Sequence, residues 1–239
     1  MDSPTSAPNY SRYAAIYKHG ADRYDLLVSR EDVDGNLLPA LASVAKIVDA
    51  NIVEVGCGTG RLTRLVAPQA KAVLAFDIEP NMVQVAVART SSFPNVMVDV
   101  APHKALPVGD AVADTAIAGW TLNHILRQAS NWQLEVHAAI REMQRVIKTT
   151  GTVVILETLG VAVSEPAPPA EHLAKYYSML EHELGFTRVT TQTDYFFHSL
   201  SEAIELVDFF FGPQLRARVE QEGLVRLPEF TGIWWRAGA

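Results

Sequence analysis

The sequence predicts an α/β fold in which a doubly wound, mostly parallel sheet is covered by helices on both faces. Three observations predict it. Short apolar runs alternate with stretches of helical spacing from residue 51 to 157, which is how a parallel sheet joined by crossover helices reads. The first run, Ile52-Val53-Glu54-Val55, ends in Gly56-Cys57-Gly58-Thr59-Gly60 and hands over to a helix. The second run ends in Asp77, about 20 residues on, where the second strand of a nucleotide-binding βαβ unit places an acid against ribose hydroxyls.

The elements follow in order. Residues 1 to about 11 are polar, carry Pro4 and Pro8, and are expected to be disordered. Tyr13, Ile16, Tyr17, Tyr24, Leu27 and Val28 recur at mixed helical spacing, a turn is expected at Asp34-Gly35-Asn36, and a helix from Leu37 to Val48. Strand one is Ile52 to Val55, and its helix starts at Arg61 with Leu62, Leu65 and Val66 on one face. Strand two spans 72–77, a helix runs from about Asn81 to Thr90, and strand three is Asn95 to Val100. Strand four is Asp114 to Gly119, Gln133 to Ile147 has helical spacing, and Thr149-Thr150-Gly151 ends that helix before strand five at Thr152 to Glu157.

The last third departs from simple alternation. Pro166 to Pro169 is a stiff connection, Glu171 to Leu184 a helix, and Phe186 to Phe197 a long strand entered at Gly185. Helices at Leu200 to Phe211 and Gln214 to Glu222 precede a final strand from Glu229 to Arg236.

Composition narrows the function. A chain of 239 residues, 49% hydrophobic, can bury one large core, and a single domain with insertions is expected. The net charge is −7 and the basic residues are scattered, unlike the basic stripe of a duplex-binding protein. Cys57 is the only cysteine, so no intramolecular disulfide or zinc knuckle forms, and its place in a tight turn suits a small packing residue. No basic segment leads into an apolar stretch at the N-terminus and no apolar run reaches membrane-spanning length, so a cytoplasmic enzyme is expected.

The glycine turn discriminates between cofactors. Dinucleotide sites space their glycines G-x-G-x-x-G, but here Arg61 stands in the last of those places and Glu54 lies two residues before Gly56. The pattern resembles motif I of the class I S-adenosylmethionine (SAM) methyltransferases of the small-molecule type. That resemblance covers roughly residues 12–157 and implies a Rossmann-like, seven-stranded sheet with an antiparallel last strand. Residues 12–50 become an N-terminal helical cap, 51–157 the SAM-binding core, and 158–239 substrate-side elements with inserted helices and the last strands.

The resemblance also implies site residues. Glu54, Gly56, Cys57, Gly58 and Gly60 would cradle the methionine moiety, Asp77 would take the ribose, and Ile78 and Met82 would sandwich adenine. Asp77 as a helix cap and Met82 as a core residue are the plain alternatives. The segment Ala105-Leu106-Pro107-Val108 resembles the family's next loop, in which an acid four residues before the leucine meets the exocyclic amine of adenine. Here that place is Pro102, which has neither a carboxylate nor an N–H. The amine is then left to Asp99, a backbone carbonyl or water, with the His103 amide free to donate to the ring; Ala101 completes the set assigned to the cofactor. Tyr17 and Tyr24, with Tyr13, would close over SAM, a phenol reaching its carboxylate.

The segment Asp114 to His124 resembles the family's motif facing the transferable methyl group. Trp120 is then a substrate wall at the carboxyl edge of the sheet, and His124 a general base or else a helix-start residue bonded to backbone. Of the aromatic set Tyr176, Tyr177, Tyr195, Phe196, Phe197, Phe209, Phe210, Phe211, Trp234 and Trp235, only the first few, on the inserted helices, are expected to touch substrate. No Asn/Asp-Pro-Pro-aromatic motif follows strand four, no cysteine lies there, and no carboxylate cluster there suggests a metal. The expected reaction is methyl transfer to O or N of a small, partly apolar molecule, leaving S-adenosylhomocysteine (SAH). The protein is expected to be a monomer or homodimer without nucleic acid or membrane partners. A nicotinamide-dependent oxidoreductase and a SAM-binding protein without turnover are the alternatives.

Overall fold

The computed structural model describes residues 10–238. The proposed disordered tail therefore lies mostly outside the described residues, and its last two positions are already helical, because α1 is Tyr10–His19. The helical cap continues with α2 (Ala21–Val28) and α3 (Leu37–Val44), the latter ending four residues before the expected Val48.

The core then alternates as expected: β1 (Asn51–Val55), α4 (Arg61–Val66), β2 (Ala72–Asp77), α5 (Pro80–Thr90), β3 (Val96–Val100) and β4 (Ala113–Gly119). A 3-10 turn at Leu122–His124 leads into the short α6 (Ile125–Gln128), followed by α7 (Trp132–Val146) and β5 (Ile147–Val161). The expected turn at Thr149-Thr150-Gly151 is absorbed into β5 as an irregularity, since Ala113 pairs with Ile147 and the next pair is Thr115 with Thr152. After α8 (Glu171–Ser178) the helix widens into a π-helical turn at Met179–Glu183.

The long strand expected at Phe186 to Phe197 is two strands. β6 (Thr187–Gln192) stays in the main sheet, whereas β7 (Tyr195–Phe196) pairs with β8 (Arg226–Leu227) in a separate ribbon. Asp194 causes the break. Its Oδ1 accepts from the Gln192 side chain at 2.9 Å and the Glu229 amide at 3.1 Å, and its Oδ2 from Arg226 at 2.8 Å. These bonds turn the chain out of the sheet. Helices α9 (Leu200–Phe210) and α10 (Pro213–Glu222) and strand β9 (Glu229–Ala237) complete the chain.

The main sheet has seven strands in the order β3-β2-β1-β4-β5-β9-β6. β9 runs antiparallel to both of its neighbours, while β1 to β5 are parallel. Strand alternation divides two cores between the sheet's faces. Val53, Val55, Ala116, Ala118, Val153 and Ile155 pack with α7 and α8, whereas Ile52, Ile117, Val154 and Leu156 pack with α3 and α4. A third apolar cluster, around Leu27, Phe197, Leu206 and Val219, ties α2 to α9 and α10. Strands are added outward to β3 on one side of β1 and outward from β4 on the other, so a crevice opens between the carboxyl ends of these two parallel strands, the place where open α/β sheets bind ligands.

Candidate active site

The crevice contains two adjoining cavities, one of about 560 Å³ and one of about 140 Å³. They share walls made by Tyr13, Tyr17, Tyr24, Gly56, Gly58, Gly119, Trp120 and His124. The smaller runs over Asp77, Ile78, Glu79, Met82 and His103, and the larger extends past Arg61 to Tyr195, Phe210, Phe211 and Glu229.

The turn after β1 shapes the floor. Gly56 has φ +70°, and a Cβ there would lie 2.1 Å from the Thr121 hydroxyl oxygen, so the Thr121 side chain closes over the turn only because position 56 carries none. Gly60 enters α4 from the left-handed region at φ +83°. Asp77 locks this turn to β2. Its two carboxylate oxygens accept from the Gly58 amide at 2.8 Å and the Glu79 amide at 2.9 Å. Burial raises its pKa while those amides oppose the rise. Asp77 is thus a turn lock that also borders the smaller cavity.

Glu54 sits beneath the turn, on the face of β1 that α4 covers. It is 2% exposed, accepts from the Thr63 hydroxyl at 2.5 Å, and burial pushes its pKa up to about 8. Cys57 is buried and its thiol, raised by burial, is not a reactive thiolate. Met82 is 2% exposed whereas Ile78 is 59% exposed, yet both border the smaller cavity.

The cap closes the crevice from above. Asp25, on α2, is 3% exposed and pairs with Arg64 at 3.0 Å and Arg89 at 2.7 Å, which pins the cap to α4 and α5. The rings of Tyr17 and Tyr24 meet edge to face, and Tyr17 also packs edge-on against His124. The Tyr17 hydroxyl lies 3.1 Å from His124 Nε2. Burial first, then Arg127, lowers the His124 pKa to about 4, against a bond to the Trp120 backbone. Burial also raises the Tyr17 phenol well above its usual range. A protonated phenol therefore donates to a neutral imidazole across the roof of the site.

Trp120 occupies a sparsely populated backbone region, with φ +49°, directly after β4. Its amide donates to the Leu156 carbonyl at 2.7 Å, and the Arg61 guanidinium lies 4.5 Å over its ring. The following loop is held from β5. Glu157 is fully buried and accepts from the Asn123 amide at 3.0 Å and the Asn123 side chain at 2.5 Å. Burial pushes Glu157 up to about 8.

At the far end of the larger cavity Glu31 Oε2 accepts from Arg61 at 2.6 Å and from the Tyr195 hydroxyl at 2.9 Å. Burial, then the Glu31 charge, drive the Glu229 carboxyl well above the usual carboxylate range. Glu31 Oε1, Glu229 Oε2 and Arg61 Nη2 are buried without a hydrogen-bond partner among the described residues. Arg127, which also borders this cavity and lies 5.3 Å from the Tyr13 ring, has no ion-pair partner among the described residues.

Three sequence-predicted cofactor residues, Gly60, Asp99 and Ala101, are not brought to either cavity; Gly60 faces Ala86 and Thr90 of α5 instead. Asp99 is exposed on β3, its carboxylate bonded to the Val100 amide at 2.7 Å, and Ala101 is 5% exposed in the core with its amide on the Asp77 carbonyl. The expected substrate aromatics also change. Tyr176 and Tyr177 are core residues, 0% and 2% exposed, with Tyr177 donating to the Thr158 carbonyl at 2.8 Å and its ring 4.5 Å from Trp234. The inserted helix carrying them packs on the sheet, and the cavity aromatics are Tyr195, Phe210 and Phe211 instead. Glu31, Arg61, Tyr195, Glu229, Glu157 and Arg127 were not marked as site residues by spacing. Arg61 alone had a signal, as the residue that displaces a glycine of the turn pattern. No group of three or more His, Cys, Asp or Glu side chains suited to a metal occurs among the described residues.

The family model of a methyltransferase domain matches residues 53–155. The malonyl-acyl-carrier-protein O-methyltransferase of Hahella chejuensis is 28% identical over 156 residues, 64% of this chain and 52% of that protein. The demethylmenaquinone methyltransferase of Staphylococcus aureus is 28% identical over 189 residues, 75% of this chain and 70% of that one. The chain spans about half the length of the first curated relatives it matches, 52% and 57%. A candidate methyltransferase from Bacillus halodurans has a similar solved structure, with a TM-score of 0.52 and 18% identity over 84% of this chain and 99% of that one. No described helix is long and apolar enough to cross a membrane.

Proposed function

Since the chain belongs to the class I SAM-dependent methyltransferase family, we propose that it moves the methyl group of SAM to an oxygen or nitrogen of a small, partly apolar acceptor. The observation that carries the reading is the pair of adjoining cavities that meet at Gly56, Gly58, Trp120 and His124, the smaller over Asp77, Ile78 and Met82 and the larger running from the glycine turn to aromatic side chains. Relatives named for a malonyl thioester carrier and for demethylmenaquinone support an acceptor of this general kind. The proposal includes a cytoplasmic location, a monomer or homodimer, and no nucleic-acid substrate, in keeping with the net charge of −7.

The residues fit SAM. Gly56 and Gly58 expose backbone to both cavities, Asp77 borders the smaller cavity beside Ile78 and Met82, and His103 Nε2 is buried without a partner. SAM, when bound, supplies an electrophilic sulfonium methyl. The protein's task is to align a nucleophile behind it and exclude water, and such alignment supplies up to roughly 7–11 kcal/mol in the best-organised cases. Trp120, held by its amide and by Arg61, is the rigid wall of that alignment. Glu54 Oε1 and Oε2 lie under the turn, and a cation above them favours the ionised carboxylate over the protonated form.

His124 is neutral at pH 7, but an imidazole whose conjugate acid has a pKa of about 4 is a weak base. Its Nε2 is already engaged by Tyr17. Its main role is to hold the Tyr17 phenol across the roof, with proton acceptance second. An acceptor that arrives already nucleophilic suits this site best. Ligand-dependent melting tests the reading, because a ligand that binds only the folded state raises its stability by mass action. SAH is expected to raise the melting temperature and NAD(H) is not. Stabilisation by NAD(H) alone would favour the oxidoreductase. Binding of SAM with no transfer across a panel of phenols, carboxylates and amines would favour a binder without turnover.

A further inference from the structure

The smaller cavity holds a side chain that has been given no partner in the bound cofactor. His103 borders it with Ile78, Met82 and Asp77, and His103 Nε2 is buried without a hydrogen-bond partner. A buried polar atom without a partner normally finds one in a ligand or water. The chain reaches this place because the Ala101 amide donates to the Asp77 carbonyl at 3.0 Å, carrying the end of β3 along the carboxyl end of β2, where the smaller cavity begins. Pro102, the position at which the resembled family carries an acid, is exposed and has no polar side chain. Asp99, the other acid within reach along the chain, points away from both cavities and spends its carboxylate on the Val100 amide.

We propose that the His103 imidazole recognises adenine, its Nε2 accepting a hydrogen bond from the 6-amine in place of the acid that Pro102 replaces. The inference rests on the proposed use of SAM. Its chemistry needs a neutral ring with one lone pair available, and the surroundings provide one. Burial first, then the Lys104 charge, lower the His103 pKa, while Glu135, ion-paired to Lys104 at 2.5 Å, raises it. At neutral pH one ring nitrogen therefore carries a proton and the other accepts. The 6-amine, a donor, meets that acceptor, while the apolar faces of the base lie between Ile78 and Met82. A carboxylate at position 102 would have brought a full charge to the cavity edge; an imidazole makes the same contact without one.

Calorimetry on the whole protein tests this with two ligands, SAH and its analogue with hydrogen in place of the 6-amine. The parent is expected to prefer SAH by about five- to tenfold, the worth of one net hydrogen bond. His103→Ala is expected to lose that much SAH affinity and to bind both ligands alike, within about twofold. His103 lies on a surface turn, so an unchanged circular dichroism spectrum accompanies the loss. A preference retained in His103→Ala, or absent from the parent, would overturn the inference while leaving SAM use intact. Failure of the parent to bind SAH at all would overturn the methyltransferase reading and the inference with it.

Discussion

The two ends of the crevice, the proposed cofactor end and the proposed acceptor end, are built differently. At the cofactor end, the contacts join residues close in the chain, as with the Gly58 amide and Asp77, 19 positions apart. At the acceptor end, the Tyr195 hydroxyl reaches Glu31 across 164 positions, and Arg61 and Glu229 join the same network. The cofactor end uses backbone shape, because a turn that must pass under the Thr121 side chain accepts only glycine at position 56. The acceptor end uses side chains from the cap, the inserted helices and β9, whose meeting is decided by tertiary packing. The first kind of site is fixed by local chemistry and the second by what the chain places around it.

The largest expected effect attacks the backbone-built end. Gly56→Ala puts a Cβ 2.1 Å from the Thr121 hydroxyl oxygen at a φ of +70°, and SAH affinity is expected to fall by at least a hundredfold, about 3 kcal/mol. Calorimetry reads this directly. An unchanged dissociation constant would place the cofactor elsewhere and dissolve the contrast between the two ends. Asp77→Ala is expected to cost on the order of 1–3 kcal/mol of SAH binding, the worth of hydrogen bonds to a charged acceptor. Because the same carboxylate holds the Gly58 and Glu79 amides, Asp77→Asn separates its two duties. The amide keeps one acceptor, so it is expected to lose less than alanine does; equal losses would assign the whole effect to the charge.

At the acceptor end the expected effect is on turnover. His124→Ala releases the Tyr17 hydroxyl, and kcat is expected to fall roughly tenfold, below the range typical of a strong general base, with SAH affinity within about twofold of the parent. A loss above a thousandfold would restore His124 as the principal base. An equal fall in SAH affinity would move Tyr17 and His124 to the cofactor end.

The same contrast governs what was legible in the sequence. The five core strands, the crossing helices, the glycine turn and Asp77 were readable, because apolar periodicity and turn chemistry act within a few residues of one another. The break at Asp194 was not, since it depends on Arg226 and the Glu229 amide arriving from later in the chain. Tyr176 and Tyr177 looked like pocket aromatics for a similar reason. Helical spacing places both on one face of α8, but only packing decides that this face meets Trp234 and not the cavity. Trp120 was found because it follows a parallel strand directly. Arg61, stacked on it, was visible as an irregular motif position, while its contact with Glu31 was not.

The smallest effect concerns the strut between the two ends. Glu157, on β5, holds the loop that carries both Trp120 and His124 by its bonds to Asn123. Its folded pKa of about 8 exceeds the ordinary 4.5 because burial penalises the charged form. Between those values the folded state binds more protons at this site than the unfolded state does. The stabilising contribution is therefore complete below about 4.5 and is lost as pH rises through about 8. Glu54 contributes a slope of the same sign. Glu157→Gln keeps an oxygen acceptor but cannot ionise, so it removes the slope due to Glu157. Urea unfolding at pH 6 and pH 8 is expected to show the parent losing about 2 kcal/mol more than the variant over that interval. Equal losses would mean that Glu157 is ionised throughout, its buried charge held by the Asn123 amide and side chain and by the Tyr176 hydroxyl at 3.5 Å.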